Sequence, residues 1–193
     1  MEKKKLSAAI LAGGRALRYG GENKSLITIN GSTIVERNLE ILKDLFDEII
    51  IISNESTSYQ QYSKITIAKD IYPNKGPLSG IHAALCNCSN SGVFVFACDM
   101  PNLDKDIILN QMQFFSKKRG MIIIPETPTG IEPLHAIYPV DSLTAVEALV
   151  KMKNNYPIRS LFSAYPTLFW KFNDRKKAEV VFKNINRPED LEN

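Results

Sequence analysis

The chain has 193 residues, 24 Lys and Arg against 21 Asp and Glu, a formal net charge of +3, 44% apolar residues and 23% charged ones. Those values fit one globular domain with a sizeable core and exclude a disordered or fibrous chain. The small net charge gives no electrostatic footprint for nucleic acid, and no stretch reaches the roughly 20 apolar residues that a membrane span needs.

Short apolar runs alternate with amphipathic stretches, the pattern of a parallel sheet covered by helices. Lys3-Lys4-Lys5 before Leu6–Ala12 imitates a short signal peptide, but the run leads straight into a glycine-rich motif and reads as a buried first strand. Thr33–Leu45 has apolar residues at helical spacing. Ile49-Ile50-Ile51-Ile52 is a β-branched run suited to a strand buried on both faces. Ile65-Thr66-Ile67 reads as a shorter strand, Leu78–Cys86 as a helix, Val93–Ala97 as a buried strand, and Ile107–Phe115 as a helix with Asp104 as its cap. Met121–Ile124 is a strand expected to stop at Pro125. The second half is less regular: strands at Pro133–Tyr138, Thr167–Phe172 and Val180–Phe182, a helix at Ser142–Met152, and a short final helix opening at Pro188. With no Gly-, Ser- or Pro-rich linker, one α/β domain is expected over residues 1–193. Residues 1–125 form its nucleotide-binding half and 126–193 an elaboration for a second substrate.

Three cysteines (Cys86, Cys88, Cys98) in no framework spacing argue against a disulfide scaffold and for a reducing, cytoplasmic setting. With only His82 and His135 beside them, a structural zinc lacks ligands.

Four strand ends carry the chemistry. The first opens Leu11-Ala12-Gly13-Gly14-Arg15-Ala16-Leu17-Arg18-Tyr19-Gly20-Gly21-Glu22-Asn23-Lys24. Paired glycines let backbone N–H groups approach an anion, and Arg15, Arg18 and Lys24 add positive charge for a polyphosphate. The Gly-Lys-Ser/Thr ending of a Walker loop and the G-x-G-x-x-G fingerprint are both missing. Asp99 follows the strand Val93–Ala97, where a carboxylate can hold a hard cation such as Mg²⁺ together with substrate phosphates. Asp70 precedes Gly76-Pro77-Leu78-Ser79-Gly80, a rigid turn into a helix that can present backbone groups to a base. Asp70 reads either as a second acidic group near the metal or as an acceptor that fixes its loop. Asn54, past Ile49–Ser53, offers both donor and acceptor. The carboxyl edge of a parallel sheet is where such folds bind ligands.

On these residues, with Pro133-Leu134-His135-Ala136-Ile137-Tyr138 and Asn184-Ile185-Asn186-Arg187-Pro188-Glu189-Asp190-Leu191, the sequence resembles the molybdenum cofactor guanylyltransferases of the nucleotidyltransferase superfamily. The resemblance implies a three-layer, Rossmann-like fold with a mostly parallel sheet and Mg²⁺-dependent transfer of GMP from GTP to molybdopterin or Mo-molybdopterin. It assigns Leu11, Ala12, Gly13, Lys24, Asn54, Asp70 and Asp99 to GTP, with Gly14, Gly76 and Gly80 in the same cradle. Asp99 also holds the metal, and Lys24, Asp99 and Arg18 are the catalytic set. Asn184 and Asn186 match an Asn-x-Asn on the pterin side; turn-forming asparagines are the other reading. Arg159 reads either as a phosphate partner or as a surface arginine. The chain departs from the family at Tyr19, where Met is frequent, and at Asn23, where Asp is common. Gly13 favours GTP over CTP, because the cytidylyl relatives usually carry Ala there. A cytidylyltransferase, another small-molecule nucleotidyltransferase and a non-catalytic GTP-binding module are the competing readings. The expected partners are GTP, the pterin and molybdoenzymes or their chaperones, without nucleic acid or membrane, and the protein is expected to be a monomer.

Overall fold

The structure is a computed structural model that describes residues 6–13, 24–185 and 190. A mostly parallel sheet of eight strands runs through its centre, in the order β10-β7-β9-β6-β1-β4-β5, with β8 hydrogen-bonded to β7. The strands are β1 (Ser7–Leu11), β4 (Ile49–Ile52), β5 (Thr66–Ala68), β6 (Gly92–Ala97), β7 (Ile122–Thr127), β8 (Gly130–Ile131), β9 (His135–Pro139) and β10 (Thr167–Lys171). β1 pairs in parallel with both β4 and β6, β4 with β5, and β7 with β10. β9 reverses, running antiparallel to β6 and β7, and the two-residue β8 is also antiparallel to β7. β9 follows β7 through the short β8 turn, and a connection of that length has no room for a crossover helix.

The continuous apolar runs become the central strands because every residue of β1, β4 and β6 is buried. Successive side chains alternate between faces. Ala8, Ile10, Ile51, Phe94 and Phe96 meet helices α1 (Ile34–Leu45) and α3 (Lys105–Lys117) on one side. Ala9, Ile50, Ile52, Val93 and Val95 meet α2 (Pro77–Asn87) and α4 (Leu143–Lys151) on the other. Helix α5 (Leu161–Ala164) is a single turn, and α6 (Arg175–Val181) packs on α3 through Ala178, Val181, Phe182 and Ile107.

Local chemistry sets the helix starts. Asn30 and Gly31, at φ 51° and 86°, turn the hairpin β2 (Thr28–Ile29) and β3 (Ser32–Thr33), the backbone that an Asn-Gly pair favours. Thr33 then caps α1 in a reciprocal box with Glu36. Pro77 opens α2, and Asp104 caps α3 by accepting from Ile107 N at 2.9 Å. Lys177 reaches Asp104 at 2.8 Å, tying α6 to that cap.

Three expectations need correction. Val180–Phe182 lies at the end of helix α6 and not in a strand. Asp174 caps that helix by accepting from Lys177 N at 3.0 Å, and the apolar residues face α3. Strand β7 does not stop at Pro125 but continues to Thr127. Ile122 N points to β10, so position 125 points to the other neighbour, where the register with β9 is confined to Ile123↔Ile137 and no ladder donor is needed. The strand read from Pro133 begins at His135. The final helix expected at Pro188 falls almost wholly outside the described residues. Among the described residues no helix is long and apolar enough to cross a membrane.

Candidate active site

Because β1, β4, β5 and β6 are parallel, their carboxyl ends share one edge. A cleft of about 720 Å³ opens there, within the range of small-molecule sites. Leu11, Ala12, Gly13, Lys24, Asn54, Asp70, Gly76, Gly80 and Asp99 all line it. The expected site residues within the described segments are therefore brought together, apart from Asn184, which is exposed beyond α6. Its neighbour Ile185 donates its N–H to the Asp99 carbonyl at 2.8 Å, which holds the C-terminal segment beside the cleft. Gly14, Arg15, Arg18, Tyr19, Asn23 and Asn186 lie outside the described residues. Arg159 is exposed in a short 3₁₀ turn and is not among the cleft residues.

Two polar pairs organise the edge. Lys24, from the 3₁₀ turn Lys24–Leu26, places Nζ 3.2 Å from Asp99 Oδ2, with side chains 19% and 20% exposed. Ser25 and Tyr59 share a buried hydroxyl hydrogen bond of 2.6 Å that anchors this turn. Further along, Asn54 Nδ2 donates to Asp70 Oδ2 at 3.1 Å, and Asp70 N donates to Asn54 Oδ1 at 3.2 Å. The Asp70 carboxylate thus fixes its loop against the end of β4. A part-exposed ion pair such as Lys24–Asp99 is worth at most about 1 kcal/mol, so a phosphate and a cation can take over its two members at little cost.

The glycines make room. Gly76 sits at φ 64°, a conformation that L side chains rarely adopt, and its turn delivers Pro77 to the start of α2. A methyl group at Gly80 would come within 3.1 Å of the Leu11 side chain. At Gly13 a methyl group would meet Ile52 O at 3.6 Å and Asp70 Oδ2 at 3.7 Å, ordinary contacts. The protein itself therefore tolerates Ala at position 13.

The donor set suits a hard cation. Among the described residues no three His, Cys, Asp or Glu side chains are grouped as a closed metal cage. Asp99 instead offers a single carboxylate at a cleft wall, the arrangement used for Mg²⁺ that keeps water and phosphate ligands. Cys98, next to it, is pushed up to about 12 by burial and by the Asp99 charge, so it stays a thiol.

Several residues in or near the cleft were given no role by the sequence reading. Asn74, Leu134 and Asn155 also line the cleft. Asn155 Nδ2 donates to Asn74 O at 3.0 Å, and Lys75 Nζ donates to Met152 O at 2.6 Å, so the loop after α4 closes against the turn before α2. Glu132, between β8 and β9, is held at about 7, well above a usual carboxyl, by burial. His135 is fully buried, with its ring edge-on to Phe94, Phe96 and Phe182, and burial lowers it to about 4.

The MobA-like NTP transferase domain matches residues 8–168. A probable molybdenum cofactor guanylyltransferase of Clostridium perfringens is 36% identical over 192 residues, covering 97% of this chain and 95% of the relative. A molybdenum cofactor guanylyltransferase of Desulfosudis oleivorans is 29% identical over 97% of this chain and 93% of its own. The crystal structure of molybdopterin-guanine dinucleotide biosynthesis protein A from Archaeoglobus fulgidus superposes with a TM-score of 0.80 at 22% identity, covering 97% of this chain and 95% of that one, a likeness of fold. A phosphate-suited cleft on the carboxyl edge of this sheet, together with a domain match over most of the chain and a relative sharing a third of its residues end to end, establishes that the protein belongs to the family of MobA-like NTP transferases.

Proposed function

We propose that this protein transfers GMP from GTP to the terminal phosphate of molybdopterin or Mo-molybdopterin, with Mg²⁺, releasing pyrophosphate. The observation that carries the reading is the order of groups along one edge, with Asn54, Asp70 and Gly13 at one end and the Lys24–Asp99 pair beside them. That order matches a nucleoside followed by its phosphates. The relatives named above supply the guanylyl and molybdenum cofactor chemistry.

In this reading a phosphate oxygen of the acceptor attacks the α-phosphorus of GTP. The new P–O bond forms as the bond to the β-phosphate bridging oxygen breaks, and pyrophosphate leaves. The nucleophile is already anionic, so no general base is required, and the residues contribute by positioning and by fixed charge. Lys24 leaves Asp99 and binds phosphate oxygens. Arg18, assigned from the sequence, shares that charge. Asn54 and Asp70 hold the nucleoside, and the Gly76–Gly80 turn borders the base. Asp99 would hold Mg²⁺, which when bound offsets charge on the phosphate oxygens. The free cysteines agree with a reducing compartment, and we place the reaction in the cytoplasm.

Incubating the protein with Mg²⁺, molybdopterin and either GTP or CTP, and measuring pyrophosphate, tests the proposal. GTP is expected to support release. Release with CTP alone would make the enzyme a cytidylyltransferase, and release with neither, despite GTP binding, would leave a binding module.

A further inference from the structure

Among the acidic groups near the carboxyl edge, the half-buried Glu132 is one that the nucleotide reading leaves without a role. Glu132 has its backbone fixed at both polar groups, with Glu132 N donating to Pro125 O at 3.0 Å and His135 N donating to Glu132 O at 3.1 Å. Its side chain is half-buried, and among the described residues no hydrogen bond or ion pair reaches the carboxylate. Its neighbours Ile131 and Leu134 are half-buried apolar residues, the first packed on the α2–α4 side of the sheet and the second against the core on both sides. A carboxylate withdrawn from water with no partner is unfavourable, and a ligand that donates to it recovers what its isolation costs.

Its position tells which ligand. Leu134 O accepts from Ala97 N at 2.8 Å, so the chain before β9 lies against the strand that ends in Asp99. Glu132 is bonded across to β7, and β6, β9 and β7 are successive neighbours. Glu132 therefore lies on the β9 line, between β7 and the strand that ends in Asp99. It lies on the side away from Asn54 and Asp70, which end β4 and β5. The nucleoside therefore occupies one flank, the phosphates the centre, and Glu132 the flank into which an acceptor must extend from its reacting phosphate.

We infer that Glu132 recognises the ring of the acceptor by accepting two adjacent N–H donors, which in the pterin acceptor of the proposed function are the ring amide and its neighbouring exocyclic amine. The inference rests on that reading. A carboxylate presents two acceptors side by side and is matched to such a donor pair, whereas an amide in its place offers one acceptor and one mismatched donor. Leu134, which lines the cleft, supplies an apolar wall for a flat fused ring.

The test uses the full chain, 2-amino-4-oxopteridine as probe, and 2,4-dioxopteridine, which has a carbonyl in place of the amine. Binding is read by pteridine fluorescence, and GTP binding by thermal shift on the same samples. The wild type should prefer the aminopteridine by about tenfold, the ratio that one hydrogen bond of 1.4 kcal/mol confers. Glu132→Gln should lose that preference and keep its GTP-induced shift, and Glu132→Asp should recover part of it. Wild-type pteridine preference in Glu132→Gln overturns the inference, as does a wild type that binds GTP but neither pteridine. A wild type that binds no GTP overturns the proposed function instead.

Discussion

The two flanks of the carboxyl edge are built differently. On the side proposed for the nucleotide the polar groups are already paired, Asn54 with Asp70 and Lys24 with Asp99, at 3.1–3.2 Å. On the flank proposed for the acceptor, Glu132 has no side-chain partner among the described residues and is raised to about 7 by burial. Pairing positions a side chain before a ligand arrives and lowers the ordering cost of binding. An unpaired group keeps its full hydrogen-bonding capacity for a ligand but makes the empty site less favourable. The contrast fits a site whose nucleotide half is set in advance and whose acceptor half is completed by its substrate.

The sharpest way to break this picture is at its centre. Asp99→Ala should lower kcat/KM by about 10³-fold, the size of effect seen when a group that stabilises transition-state charge is removed. Wild-type turnover by that variant at saturating Mg²⁺ would remove Asp99 from the mechanism. Lys24→Ala should cost about 10²-fold in kcat/KM while leaving the melting temperature nearly unchanged, because a part-exposed ion pair adds little to stability. An unchanged kcat/KM would take Lys24 out of the site, and a collapse in melting temperature would make the pair structural.

A third prediction concerns the core beneath both flanks. His135 touches Phe94 and Phe96 of β6 and Phe182 after α6, and among the described residues its ring nitrogens have no hydrogen-bond partner. Three edge contacts of about 0.5–1.5 kcal/mol each offset the roughly 1–3 kcal/mol of an unmade hydrogen bond. Its folded value of about 4 lies below the ordinary 6.5, so the folded state binds fewer protons than the unfolded one between those values. Stability is therefore intact above pH 6.5 and lost as the pH falls toward 4, by up to about 3 kcal/mol. Denaturant unfolding of the wild type and of His135→Leu across that window should show the slope flattened in the variant; parallel slopes would assign the acid sensitivity elsewhere.

The smallest effect sharpens base choice. Gly13→Ala should fold normally, since its new methyl group meets Ile52 O at 3.6 Å. It should nevertheless lose about tenfold in preference for GTP over CTP, the order that one methyl group in a pocket confers. An unaltered ratio in competition binding would detach Gly13 from base choice.

Much of the fold was legible because its strands are nearly uniform. Four consecutive isoleucines or Val93-Phe94-Val95-Phe96 admit little except a strand buried on both faces. The glycine, Asn54, Asp70 and Asp99 features follow such strands directly, so their common edge followed from parallel pairing. Reading failed where the local signal was short or shared. Val180-Val181-Phe182 has strand composition, but Asp174 caps a helix there and α3 receives its apolar side. Pro125 ends most strands, yet here its missing N–H falls on the side where β9 diverges. Asn155 and Glu132 carry no motif. The first reaches the cleft by bonding to the turn at Asn74; the second is brought beside the cleft residue Leu134 because the chain before β9 lies against β6.

The sequence alone determined the central strands β1, β4 and β6 and which side chains stand just past them, since period, β-branching and glycine placement are local properties. Tertiary structure alone decided that Lys24 meets Asp99, that Asn54 meets Asp70, and that Glu132 lies on the β9 line, beside the strand that ends in Asp99. Those pairings depend on strand order and on the reversal of β9, which are fixed by packing between segments far apart in the chain.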